Sequence, residues 1–170
     1  MSANPTHLVR FAGFAIGAAV AIGVVLAGRM PESQAEAPAR LLVTSQPTTE
    51  LGVSPAGADF LAAGLRPGGR PARGVLTLDN FTERPLRVAM RVTSPQRDLD
   101  SLVRVRAALR GRPVFAGRLG DLRSWTREPL RLPADRLHKL QFEAWLPMSI
   151  DSGFEGRSVE LELEWKKAKT

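Results

Sequence analysis

The sequence predicts an all-β fold: an antiparallel β-sandwich of seven to eight strands, preceded by one hydrophobic N-terminal helix. Three observations carry this. Several segments alternate apolar and polar residues with period two, and turn signals built on Pro, Gly and Asn recur about every ten residues. Past residue 28, no long stretch holds the 3.6-residue period of an amphipathic helix. A chain of 170 residues suffices for one domain with a real core.

The elements follow in chain order. MSANPTHLVR carries the amino group and Arg10, and FAGFAIGAAVAIGVVLAG (residues 11–28) then runs without a charge as far as Arg29. About 18 uncharged residues just span a bilayer as a helix, so residues 1–28 read as an export element, a signal peptide or signal anchor. Small-x-small sites at Val25-Leu26-Ala27 and Ser33-Gln34-Ala35 fit cleavage by signal peptidase; retention as a membrane anchor is the alternative. In both cases the basic end stays inside and the rest of the chain lies outside. Residues 29–39, rich in Ala, Pro and Glu, read as a processing region or tether, and residues 40–170 as the β-domain.

Within that domain RLLVTS (residues 40–45) is a first short strand, followed by a polar loop. ADFLAAGL (residues 58–65) is a second, ended by the turn Arg66-Pro67-Gly68-Gly69, where Pro67 presets φ and Gly68 tolerates positive φ. ARGVLTLDN is a third and closes at the turn NFTERP. In PLRVAMRVTS, Leu86, Val88, Met90 and Val92 share one face while Arg87 and Arg91 take the other. In LVRVRAALR, Val103, Val105, Ala107 and Leu109 oppose Arg104, Arg106 and Arg110, and a Gly111-Arg112-Pro113 turn leads into VFAGRL as a hairpin. LHKLQFEAWLP sends Leu140, Phe142, Ala144 and Leu146 inward. The closing strand places Val159, Leu161, Leu163 and Trp165 inside, with Glu160, Glu162, Glu164 and Lys166 in water. Residues 95–102 and 120–125 have room only for a short helical turn.

Composition narrows the function. The absence of cysteine excludes disulfides, thiolate metal sites and a cysteine nucleophile. The formal charge of +7 suits an anionic partner such as a wall polymer or membrane surface, yet it is mostly arginine spread along the chain. With no Tyr and few Phe and Trp for base stacking, no specific nucleic-acid partner is expected.

Three segments in order resemble a known family. LRPGGRPARGVLTLDNFTERPLRVAMRVT (residues 65–93) is similar to an opening of Leu-x-Pro-Gly-Asp, strand, Asn-x-Gly and strand. VFAGRLGDL (residues 114–122) resembles a Tyr-x-Gly-x-Leu-x-x-Leu hairpin exit. LHKLQFEAWLPMSIDSGFEGRSVELELEWKKA (residues 137–168) is similar to strand, Leu-Pro, Asn-x-Phe/Tyr-Gln-Gly-Lys-Ser, strand and aromatic-x-Ala. Their order and spacing resemble the TasA/camelysin family of exported Ig-like or jelly-roll β-sandwich proteins, whose better-known members polymerise into matrix fibres. Gly69, Glu155 and Asp151-Ser152-Gly153 depart from the family pattern. The resemblance implies a protein outside the bacterial cell or on the outer face of its cytoplasmic membrane. It also implies a secreted structural subunit that associates with itself.

The loop Gly153, Phe154, Gly156, Ser158 then reads as architectural: the glycines permit a tight reversal, Phe154 plugs one end of the core, and Ser158 opens the last strand. Assembly is expected through strand addition. Residues 36–45 pair with an open sheet edge of the next subunit, and Leu41, Leu42 and Val43 fill its groove. A membrane-anchored module that contacts anionic wall polymers or a protein partner is the alternative.

Some members of the family are described as metalloproteases. Zinc needs about three protein ligands, whereas the two histidines are His7, before the apolar run, and His138, expected on a strand surface. No catalytic residue, metal or cofactor is expected. Asp98 with Asp100, and Asp151 with Glu155, are the loop carboxylates a calcium ion would use, and Asn80-Phe81-Thr82 reads as a turn rather than a glycosylation site. The arginine faces and the Glu160, Glu162, Glu164 row predict cross-strand pairs within one sheet, of about 0.2–1 kcal/mol each, or complementary faces of neighbouring subunits.

Overall fold

A computed structural model describes residues 37–134 and 136–169. The expected N-terminal helix and residues 29–36 of the tether lie outside the described residues. Among the described residues no helix is long and apolar enough to cross a membrane.

The described residues form ten strands, more than the seven or eight expected: β1 (Ala39–Ser45), β2 (Leu51–Ser54), β3 (Leu61–Leu65), β4 (Ala72–Asn80), β5 (Leu86–Thr93), β6 (Arg104–Leu109), β7 (Arg112–Arg118), β8 (Leu130–Leu132), β9 (Leu137–Trp145) and β10 (Ser158–Lys167). A 3-10 turn, Leu119–Arg123, overlaps residues 120–125, where room for one was expected. The added strands are β2 and β8. With four and three residues, they are too short to display an alternating pattern.

Two five-stranded sheets result, ordered β3-β1-β10-β5-β8 and β2-β4-β9-β6-β7. All pairings between strands are antiparallel except β1 with β10, which run parallel. Inward residues of both sheets join one hydrophobic cluster: Leu41, Val43, Met90, Leu161 and Leu163 from the first, and Leu76, Leu78, Val105, Leu140 and Phe142 from the second. The alternation read in the sequence positions these residues, because successive side chains of a strand point to opposite faces.

The sheets meet most closely beside β3. Phe60 stands edge-on to Phe142, with ring centroids 5.8 Å apart and planes at 88°. Gly74 on β4 lies under this contact, and a Cβ there would stand 2.5 Å from the Phe60 carbonyl oxygen. Glycine in this strand therefore answers a close approach of backbone.

The β6–β7 hairpin turns one step earlier than expected. Arg110 and Gly111 occupy the two turn positions at φ 52° and 77°, and Arg112 and Pro113 already belong to β7. Two positive φ values give the strand twist that a tight hairpin needs. Pro113, which donates no backbone hydrogen bond, sits on a sheet-edge strand, where that is tolerated.

Candidate assembly surface

The first strand is enclosed by its own chain. β1 pairs antiparallel with β3 on one side and parallel with β10 on the other. Its inward residues Ala39, Leu41, Val43 and Ser45 are fully buried. Of the three expected groove fillers, Leu41 and Val43 reach the core, whereas Leu42 faces outward and lines a shallow cleft with Thr44, Asp59, Glu160 and Glu162. Three consecutive residues of a strand cannot share a face.

Side chains add to the β1–β10 ladder. The Trp165 Nε1–H donates to Ser45 Oγ at 2.9 Å, and that hydroxyl donates to the Leu163 carbonyl at 3.1 Å. Trp165 and Ser45 are both buried, so each satisfies a polar group of the other in the interior. Sequence reasoning missed this pair. Ser45 was visible as the last residue of the first strand, but nothing local marks a contact spanning 120 residues.

The loop before β10 holds the entry to β1. Gly153 and Gly156 have φ of +87° and +65°, in the region glycine favours, and Phe154 is buried. The Glu155 carboxylate accepts from the Gly153 N–H at 2.8 Å. Gly156 N donates to Ala37 O at 3.1 Å and Arg40 N donates to Arg157 O at 2.8 Å, so the loop grips the backbone just where β1 begins. Ser158 opens β10 opposite Arg40. At the other predicted turn Gly68, at φ +64°, donates to Leu146 O at 3.1 Å, and Pro67 bridges Leu146.

Charges sort by face and strand. Arg91 on β5 pairs with Glu164 on β10 at 2.8 Å, and Arg73 on β4 with Glu143 on β9 at 2.9 Å; both are cross-strand pairs within one sheet. Arg91 and Lys166 also stand 4.6 Å and 5.8 Å from the Trp125 ring centroid. Glu160 and Glu162 remain exposed at the other end of the same face.

His138 departs from expectation: it is buried, with 1% exposure, and lies on the inward parity of β9 with Leu140 and Phe142. Its Nδ1 accepts from Arg110 Nη2 at 2.8 Å, since a guanidinium has no acceptor. Its Nε2 therefore carries the proton, donated to Pro133 O at 3.2 Å.

Of the candidate calcium carboxylates, Asp98 and Asp100 have arginine partners, and Glu155 is engaged by the Gly153 N–H. Asp100 receives Arg123 through Nε and Nη2, the latter at 2.8 Å, and Asp98 faces Arg157 at 3.7 Å. Among the described residues, no three His, Cys, Asp or Glu side chains gather as a metal site would require; His7 lies outside them.

Asn80, read as a turn residue, is the hub of that turn. Its amide donates to Arg84 O at 2.8 Å and to Leu132 O on β8 at 2.9 Å, while its oxygen accepts from Thr82 N and Oγ1. No protein-family model matches the chain, and no curated protein matches it.

Proposed function

We propose that this chain is an exported structural subunit of the bacterial cell envelope or extracellular matrix, a β-sandwich of the Ig-like or jelly-roll kind that resembles the TasA/camelysin family. Its work is contact between copies, and it takes place outside the cell or on the outer face of the cytoplasmic membrane. The seat of β1 is the observation that most supports this reading. This strand follows directly on the N-terminal segment, fills a slot between β3 and β10, and covers the core with Leu41 and Val43.

An identical strand from another copy makes the same hydrogen bonds and fills the same pockets, so exchange costs little in contacts and is driven by concentration. A strand passed from each subunit to the next is a heterologous contact, and it propagates as a filament. Removal of residues 1–28 by signal peptidase is the switch, because it frees the end that must travel. The occupied ring nitrogens of His138 favour contact over metal-dependent turnover as the function.

The core described above lies wholly within residues 39–165, so a chain beginning at Glu36 retains it. Sedimentation and electron microscopy of that chain over a concentration series are expected to reveal filaments or a growing oligomer. Protein that stays monomeric at the highest concentration overturns the proposal.

A further inference from the structure

We propose that the β5–β8 corner of the first sheet binds a phosphate group between the guanidinium groups of Arg87 and Arg131. This goes beyond self-assembly. The two residues are direct cross-strand partners in the register Arg87↔Arg131, and both are exposed. With Pro85 and Pro129 they line a shallow cleft of about 460 Å³. Each proline stands two residues before its arginine and fixes its own φ at the start of the strand. Like charges directly opposite in a sheet repel, and among the described residues neither guanidinium has an ion-pair partner.

Two carboxylates have partners of their own. Glu164 is engaged by Arg91 and Thr93, and Glu50 by Lys167. Glu83 lines a neighbouring cleft with Arg84 and Lys167, and Arg87 borders that cleft too. Glu128 lines another with Asp121 and Trp125. A second opposed pair, Arg104↔Arg118 across β6 and β7, is likewise without an ion-pair partner among the described residues and serves as the comparison. Arg87 and Arg131 line one cleft together, with both guanidinium groups exposed.

The choice of ligand follows from the forks. Each non-bridging oxygen of a phosphate group accepts more than one hydrogen bond, and its tetrahedral phosphorus turns them to two sides, so one phosphate can lie between two guanidinium forks. That chemistry has two sources outside a cell, a phosphate-bearing polymer and an anionic lipid headgroup.

The test uses the chain from Glu36 onward. In one arm inorganic polyphosphate is titrated by calorimetry. In the other, the protein is sedimented with vesicles of phosphatidylglycerol in phosphatidylcholine, with pure phosphatidylcholine as the blank. The double variant R87Q/R131Q is compared with R104Q/R118Q, which removes the same charge from the other sheet.

The expected result is binding in at least one arm, weakened about tenfold or more by R87Q/R131Q and about twofold or less by R104Q/R118Q. The arm that responds identifies the source. Should the double variant not fold, R131Q alone, on the sheet-edge strand β8, carries the comparison. No binding in either arm, or equal losses from both double variants, overturns the proposal. A failure to polymerise leaves this result untouched, because the comparison of the two double variants and the phosphatidylcholine blank read binding whether or not the subunits assemble.

Discussion

The two sheets solve the same packing problem with different pieces of chain. The second sheet is antiparallel throughout, and one of its pairs is the tight β6–β7 hairpin. The first takes a strand from near each end of the described chain and sets them side by side in parallel, joined by contacts between residues 117 to 120 positions apart. Parallel neighbours need a long connection, and here nearly the whole domain serves as that connection. A strand held this way leaves without tearing a hairpin, which the second sheet does not permit for β6 or β7.

The largest expected effect tests whether the sheets stand or fall together. Phe142→Ala empties the centre of the second sheet and removes the edge-on partner of Phe60, costing about 3–5 kcal/mol. Chemical denaturation followed at two probes, one in each sheet, is expected to give a single coincident transition; separate transitions break the shared-core account.

The junction comes next. Gly74→Ala forces a methyl group against the Phe60 carbonyl and is expected to cost about 3 kcal/mol. Gly52→Ala, in the same sheet, meets only the ring end of Phe81, an exposed side chain free to swing away, and is expected to cost less than about 1 kcal/mol. Equal losses in thermal melts of the two variants contradict a close backbone approach at Gly74.

The β1 staple sharpens the contrast between the sheets. Ser45→Ala leaves the buried Trp165 Nε1–H without its acceptor, at a cost of about 1–3 kcal/mol. Adding Trp165→Phe removes the orphaned donor, so the double variant is expected to be less destabilised than the sum of the singles. Hydrogen exchange is expected to quicken at β1 amides and stay slow at β9. Uniform quickening contradicts a separable first strand.

The smallest effect belongs to the surface. Arg91→Ala breaks a half-exposed pair with Glu164, and a stability loss under about 1 kcal/mol is expected in denaturant titration. A larger loss assigns the cation–π contact with Trp125 a greater share than its exposure suggests.

How much of this was legible beforehand depended on the range of the signal. The cores of β4, β5, β6, β9 and β10 were readable because period two is local and long strands repeat it several times. β2 and β8 were not, since three or four residues carry no period and tertiary pairing alone makes them strands. His138 was readable by parity with Leu140 and Phe142; its polarity argued for the surface, and only the Arg110 and Pro133 partners, brought close by the fold, make its burial tolerable. The parallel seat of β1 and the Ser45–Trp165 contact depend on topology, which no short window contains.

The exchange of β1 is tested most directly by locking it at home. Leu42 and Glu160 are register partners on β1 and β10, and the chain has no other cysteine to compete. An L42C/E160C variant of the chain from Glu36 onward is to be followed by light scattering, oxidised and then reduced. The predicted result is oxidised protein that stays monomeric and assembles once the bond is opened. Assembly of the oxidised form at the rate of the reduced one contradicts the account.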